Sequence, residues 1–348
     1  MKTLILLIPG FPSDESDSTC LPAQQQFVLA LQKINPGIEV VVFAFQYPYK
    51  KEIYRWNGIE VHAFNGQNRG KLKRVLMWNA VWKRLRMMKA GKGLIGILSF
   101  WCGECALVGT KFGRMHGIRH FNWIMGQDAK KENKFVHWIR PGEEELIALS
   151  DSLSDEFWKN HGVRPFRVIT NFVSPYFLPQ RARREIDLLA AGSLIPLKQY
   201  DLFIRLIAEV KRDFFAVKSL IAGEGPERHY LKELIHQFKL HEEISLVGEI
   251  PHSQLLDLMS RTKVFLHPSN YEGFSSVCLE ALAAGSHVVS FCKPMKEDID
   301  HWHIVKNEEE MRKKVSELLT NENLDHTPII YLTAEGAAEQ ITGLFIHQ

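Results

Sequence analysis

The chain has 348 residues, too many for one ordinary core, so two domains are expected. Its 45% hydrophobic and 24% charged residues are the proportions of a soluble globular protein and exclude a disordered chain. A net charge of +3 points to no class of partner, so the local distribution of charge has to be read instead.

The N-terminus, "MKTLILLIPGFP", has an apolar run that stops at Pro9-Gly10. That is too short for a secretory signal and reads as a buried strand. No apolar run approaches the ~20 residues of a membrane-spanning helix. Five cysteines, an odd number in a long chain, suggest no disulfide framework, and a cytoplasmic location is expected. Strands are expected at Thr3–Ile8, Glu39–Phe45, Leu94–Phe100 and Phe121–Met125. Helices are expected at Pro22–Ile34, Leu72–Ala90 and Ala106–His116. The second half repeats the alternation. Its strands are Leu188–Ala191, Val217–Ala222, Ile244–Val247, Val264–Leu266 and His287–Ser290. Its helices are Leu202–Lys211, Arg228–Gln237, Ser253–Arg261 and Ser276–Ala284. Strand–helix alternation predicts parallel sheets covered by helices on both faces. "VSPYFLPQRARREI", Val173 to Ile186, has two prolines, an arginine cluster and no period, and reads as a linker. The expectation is α/β: two doubly wound, Rossmann-like domains facing each other across a cleft.

"NYEGFSSVCLEALAAG", Asn270 to Gly285, places Glu272 in a loop and Glu280 about one turn into a helix. Ser275 or Ser276 is a candidate cap for that helix, whose N-terminus suits a phosphate. Gly273 lets the backbone approach a ligand. Carboxylates accept hydrogen bonds from hydroxyls, so the two glutamates suit a molecule with hydroxyls on both sides of a diphosphate. A nucleotide sugar has that form. The plain alternative is two solvated charges.

"HPSNYEGFSSVCLEALAAGSHVV", His267 to Val289, resembles the E-x7-E signature of the GT4 retaining glycosyltransferases, which have the GT-B fold. "AAGSLIPLKQYDLFIRLIAEV", "SLIAGEGPERHYLKELI" and "ISLVGEIPHSQLLDLMSRTKVFLHPS" follow the family's order through the second half. "IMGQDAKKEN" resembles its H-G-x-D segment more loosely. The resemblance implies a metal-independent transfer of a sugar, with retention, from a UDP-, GDP- or ADP-linked donor to a glycan or lipid-linked acceptor. No cofactor is implied beyond the donor itself. Residues 1–175 would form the acceptor-side domain and residues 176–335 the donor domain. Residues 336–348 would be a helix crossing back to the first. Glu272, Lys198 and Asp128 would be the catalytic residues: Glu272 on the donor sugar and Lys198 on the leaving diphosphate. Gly10, Gly273, Phe274, Ser275, Ser276 and Val277 would line the sugar and diphosphate site. Glu280 would hold the ribose, and Gly248, Glu249 and Ile250 would lie beside the base. Ser193 stands where the family has an arginine, and Met125 where it has the histidine. A catalytically weak nucleotide-binding subunit acting with a partner is therefore the alternative.

Other segments compete for attention. "WCGEC", Trp101 to Cys105, has the form of a dithiol redox motif, against the simpler reading of two packed thiols. Arg69–Lys92 carries nine basic residues and no acidic one, with Leu72, Val75, Leu76, Trp78, Trp82, Leu85 and Met88 placed on one helical face. It reads as an ordinary domain helix or as a surface for anionic membrane or acceptor; nucleic acid is not expected. "AGEGP" is a tight turn, Asp298-Ile299-Asp300 a solvated acidic turn, and the fifteen histidines show no metal-ligand spacing.

Overall fold

The computed structural model describes residues 2–91, 93–174, 182–212 and 216–346. The chain forms two compact units, Met1–Asn171 with Ala334–Gln348, and Phe172–Thr333. The first break thus falls at Asn171, and part of the segment read as a linker, 175–181, lies outside the described residues.

Unit 1 begins with β1 (Lys2–Gly10), α1 (Pro22–Ile34), β2 (Ile38–Tyr47), β3 (Lys51–Trp56), β4 (Ile59–Phe64), α2 (Lys71–Gly91) and β5 (Gly93–Phe100). It continues with α3 (Glu104–His116), β6 (His120–Ile124), α4 (Lys134–Ile139), β7 (Leu146–Ala148), α5 (Asp151–His161) and β8 (Arg167–Val168). The sheet order is β3-β4-β2-β1-β5-β6-β7-β8, parallel except for β3. Leu4 to Leu7 of β1 are fully buried, because β1 is central and covered on both faces. The hairpin β3–β4 was not expected: β3 is a charged, largely exposed edge strand without the apolar run of its buried neighbours. Met77, Val81, Leu85 and Met88 of α2 pack on the core formed by Ile5, Val41, Phe43 and Phe112. This corrects the expected apolar face. Leu85 and Met88 are on it and Trp78 and Trp82 flank it, but Leu72, Val75 and Leu76 point to solvent.

Unit 2 contains β9 (Ile186–Ala191), α6 (Tyr200–Val210), β10 (Ser219–Ala222), α7 (Arg228–Gln237), β11 (Ile244–Gly248), α8 (His252–Ser260) and β12 (Thr262–His267). After these come α9 (Ser276–Ala283), β13 (His287–Ser290), β14 (Trp302–Ile304) and α10 (Glu308–Thr320). Its six strands are parallel in the order β11-β10-β9-β12-β13-β14. Their core is built from α6 (Phe203, Ile204, Ile207), Leu231, Ile235, Val264 and Met311. The last helix, α11 (Ala334–Ile346), belongs to unit 1, where Asn35 donates to Thr342 at 3.0 Å and Phe345 packs edge-on against Phe121.

Candidate active site

In unit 2, β9 and β12 are neighbours whose following strands lie on opposite sides. An open parallel sheet leaves a crevice beyond the carboxyl ends of such a pair. Lys198 lies in the helical turn Pro196–Lys198 after β9, and the loop to α9 leaves β12 at His267. Ser269 Oγ and the Asn270 amide both donate to the Leu197 carbonyl at 3.2 Å, which ties the two loops together. Two glycines let neighbouring loops pack this closely. A Cβ on Gly223 (φ +143°) would lie 1.9 Å from the Gly192 carbonyl oxygen, and one on Gly225 2.5 Å from that of Leu194. The "AGEGP" turn is a packing device.

This topology brings Lys198 to Glu272, and the lysine Nζ donates to Oε1 of the glutamate. His267 Nε2 meets the same oxygen at 3.0 Å. The Glu272 side chain retains 19% of its exposure. Burial on its own would raise this carboxyl. The hydrogen bond and charge of His267, with Lys198 beside it, outweigh burial and hold the carboxyl at about 2. Two residues on, Phe274 is buried, stacked on Trp302 with centroids 5.7 Å apart and edge-on to Tyr331 at 5.9 Å. That packing anchors the loop carrying Glu272, Gly273 and Ser275.

Ser275 occupies the N-cap position of α9 with an extended backbone, but its side chain makes no capping bond, so the expected hydroxyl cap at Ser275 is absent. The first helical bond runs from the Leu279 amide to the Ser275 carbonyl. The amides of Ser276, Val277 and Cys278 precede it, and the helix offers them no carbonyl partner. Glu280 lies on the same helix, with Oε1 2.8 Å from His252 Nε2 at the start of α8. That bond raises the histidine above its ordinary pKa, against the opposing effect of burial. Gly248 (φ +78°), exposed Glu249 and half-buried Ile250 lead directly into α8, so the His252–Glu280 bond anchors their loop to α9. Sequence reasoning missed His252 and His267 as partners. Each adjoins a proline beside a quoted motif, but only the fold pairs them with the glutamates.

Gly10 and Asp128 fall in unit 1; the other expected site residues fall in unit 2. Gly10 closes β1 beside β5, where the first sheet reverses its order. Asp128 is buried in the turn after β6, and its Oδ2 accepts from the amides of Cys102 at 2.8 Å and Met125 at 2.7 Å. Burial pushes this carboxyl up to about 7, and the two amides pull the other way. Cys102 and Cys105 are 1% and 2% exposed, and burial pushes both thiols well above their ordinary range. Redox exchange needs an accessible thiolate, so the dithiol reading has no physical basis here. Asp298 is an exposed partner of Lys293, as expected of a solvated turn. Among the described residues no group of three or more His, Cys, Asp or Glu could hold a metal ion, and no helix is long and apolar enough to cross a membrane.

Residues 179–333 match the family described as glycosyl transferases group 1. Glycogen synthase of Mycobacterium tuberculosis strain H37Rv is 29% identical over 178 residues, which is 49% of this chain and 43% of that protein. The phosphatidylinositol N-acetylglucosaminyltransferase gpi3 subunit of Schizosaccharomyces pombe is 27% identical over 203 residues, 56% of this chain and 44% of that one. The chain thus spans under half the length of these curated relatives. The solved structure of Anabaena HepE in complex with UDP and glucose superposes with a TM-score of 0.68 at 17% identity, covering 99% of this chain and 95% of that one. The overlay establishes a GT-B architecture of two parallel-sheet α/β domains for nearly the whole chain. The span that matches the glycosyl transferases group 1 family, residues 179–333, contains both Glu272 and Glu280.

Proposed function

We propose that the chain transfers a sugar, with retention, from a nucleotide-sugar donor to a hydroxyl acceptor. The observation that carries this reading is the pair of glutamates on either side of the open start of α9, each held by a basic side chain. Glu272 accepts hydrogen bonds from the donor sugar's hydroxyls and Glu280 from the ribose. The amides of Ser276 and Val277 face the diphosphate, with Gly273, Phe274 and Ser275 shaping the pocket. Gly248, Glu249 and Ile250 flank the base. Lys198 is paired with Glu272. With donor, it turns to the phosphate, where negative charge develops.

The acceptor oxygen attacks the anomeric carbon on the face that the phosphate leaves. The carbon–oxygen bond to phosphate breaks with its electron pair, and the acceptor proton passes to the departing phosphate oxygen. Fixed cations and amide dipoles are the main requirement of such a step. Asp128 acts through position: it fixes the backbone of the Trp101–Gly103 loop at the carboxyl end of β5.

HepE was solved with UDP and glucose, which makes UDP-sugars the first donors to try. A glycan or lipid-linked acceptor fits α2. Its exposed Leu72, Val75 and Leu76 lie beside seven basic residues, with no acid in the helix, as a segment lying on an anionic membrane requires. A peripheral position at the cytoplasmic face follows from that reading. Flotation with anionic liposomes tests it, and a protein that stays at the bottom of the gradient refutes it. The second reading, a weak subunit that needs a partner, rests on Ser193, an exposed serine where the family has an arginine, and on the S. pombe relative's description as a subunit. Release of UDP from UDP-sugars by the purified chain decides between them. Turnover supports the transferase; donor binding without turnover supports the subunit.

A further inference from the structure

Unit 1 carries a cavity of about 850 Å³ between α4, the end of α5 and the turn that joins β6 to α4. Lys131, Lys134, His137 and Arg140 line it. All four are exposed, and none has a carboxylate partner among the described residues; Glu132 is the sole acid in the lining. Other arginines nearby behave differently: Arg114 is paired with Glu145, and Arg164 with Asp155. Trp138 adds an indole that is 52% exposed and packed edge-on to Phe135. Lys134, His137 and Trp138 share one face of α4, at i, i+3 and i+4, while Val136 and Ile139 turn to the core.

The walls of this cavity are fixed to the loops at the carboxyl ends of β5 and β6. Asn133, which caps α4, donates through Nδ2 to the Cys102 carbonyl at 3.1 Å and the Asp128 carbonyl at 3.2 Å. Asn160 at the end of α5 donates to the Ala129 carbonyl at 2.9 Å. Those strand ends are where an open parallel sheet receives its ligands. Unpaired cations raise the local concentration of anions, and an exposed indole offers a flat apolar face to a sugar ring.

We propose that this cavity binds an anionic sugar, one carrying phosphate or carboxylate, and that it is the seat of the acceptor; the second clause rests on the transferase reading. Lys134, His137 and Arg140 hold the oxyanion, and Trp138 packs against the ring. The acceptor is then a phosphorylated or acidic saccharide and not a neutral one.

Calorimetric titration of the full chain, with saturating UDP present to fill the donor site, tests this directly. The probes are inorganic phosphate, glucose 6-phosphate, glucuronic acid and glucose. Glucose 6-phosphate and glucuronic acid are expected to bind at least ten times more tightly than glucose. That preference is expected to vanish in Lys134→Glu/Arg140→Glu, with the melting temperature of the variant reporting that it has folded. In Trp138→Ala the sugar phosphate is expected to lose its advantage over inorganic phosphate. Equal binding of glucose, or anion binding that survives the double substitution, overturns the proposal. Phosphate and glucose 6-phosphate that bind equally in the wild type reduce the site to an anion site and overturn the sugar assignment. A separate titration with UDP alone keeps the two readings apart. UDP binding without anionic-sugar binding removes the cavity proposal and leaves the transferase; the reverse leaves the cavity and removes the transferase.

Discussion

Glu272 in unit 2 and Asp128 in unit 1 are both largely buried carboxyls at the carboxyl ends of parallel strands, and their acidities move in opposite directions. Glu272 is held at about 2, Asp128 at about 7. The difference lies in the partners. Glu272 meets two basic side chains, Lys198 and His267, whereas Asp128 meets two backbone amides in a fully enclosed turn. Basic partners outweigh the cost of burying an anion; two dipoles alone do not. One unit has therefore kept a charged carboxylate held by basic side chains. The other has kept a carboxyl that ties a loop together.

The most severe way to break this comparison is to remove the cation. Lys198→Ala should lower turnover about 100- to 1,000-fold, as the loss of a group that stabilises developing charge does, and should raise the pKa of Glu272 toward its ordinary value. Carbon-13 NMR of the glutamate carboxyl reads the second effect; an unchanged titration would show that His267 alone suffices.

Asp128→Ala should act on folding instead. It leaves the buried Cys102 and Met125 amides without an acceptor, at a cost of about 1–3 kcal/mol for each donor, seen by denaturant titration. A variant as stable as wild type would mean that water replaces the carboxyl.

The two groups also predict opposite pH slopes. Asp128 titrates at about 7 in the folded chain against 3.8 unfolded, so the native state holds a proton the unfolded state releases. Its stabilising contribution is full below pH 3.8 and is lost as pH rises toward 7. Glu272 is the reverse: its contribution is present above 4.5 and lost as pH falls toward 2. Asp128→Asn should flatten the neutral slope and Glu272→Gln the acid one; a neutral slope that persists in Asp128→Asn would assign it elsewhere.

The smallest effect is expected at the dithiol. Cys102 and Cys105 should resist a thiol reagent until the chain unfolds, while activity stays constant across redox buffers. Rapid labelling of either in the native protein, with loss of activity, would reinstate the redox reading.

What the sequence showed clearly was the doubly buried part of each sheet. β1, β5 and β12 are continuous apolar runs because both faces are covered, and such runs stand out from their surroundings. The hairpin strand β3 was invisible because an exposed edge strand is charged and shares its composition with loops. On α2 a periodic face was legible but rotated, since the seven apolar residues assigned to it do not all meet the core. The loop and helix carrying Glu272 and Glu280 were legible as a local motif. Their partners were not: His252 lies 28 positions from Glu280, and Lys198 lies 74 from Glu272. No local spacing rule connects residues so far apart; the order of strands in the sheet does.

The most direct measurement is the affinity of UDP, GDP, ADP and CMP, and of their sugars, for the wild-type chain and for Glu280→Ala, by calorimetry. The account predicts that one nucleotide is bound selectively and that Glu280→Ala weakens it about tenfold, or roughly 1.4 kcal/mol, the size of a charge-assisted hydrogen bond. Binding that is unchanged in Glu280→Ala, or absent for every nucleotide, would contradict the assignment of α9 as the donor site.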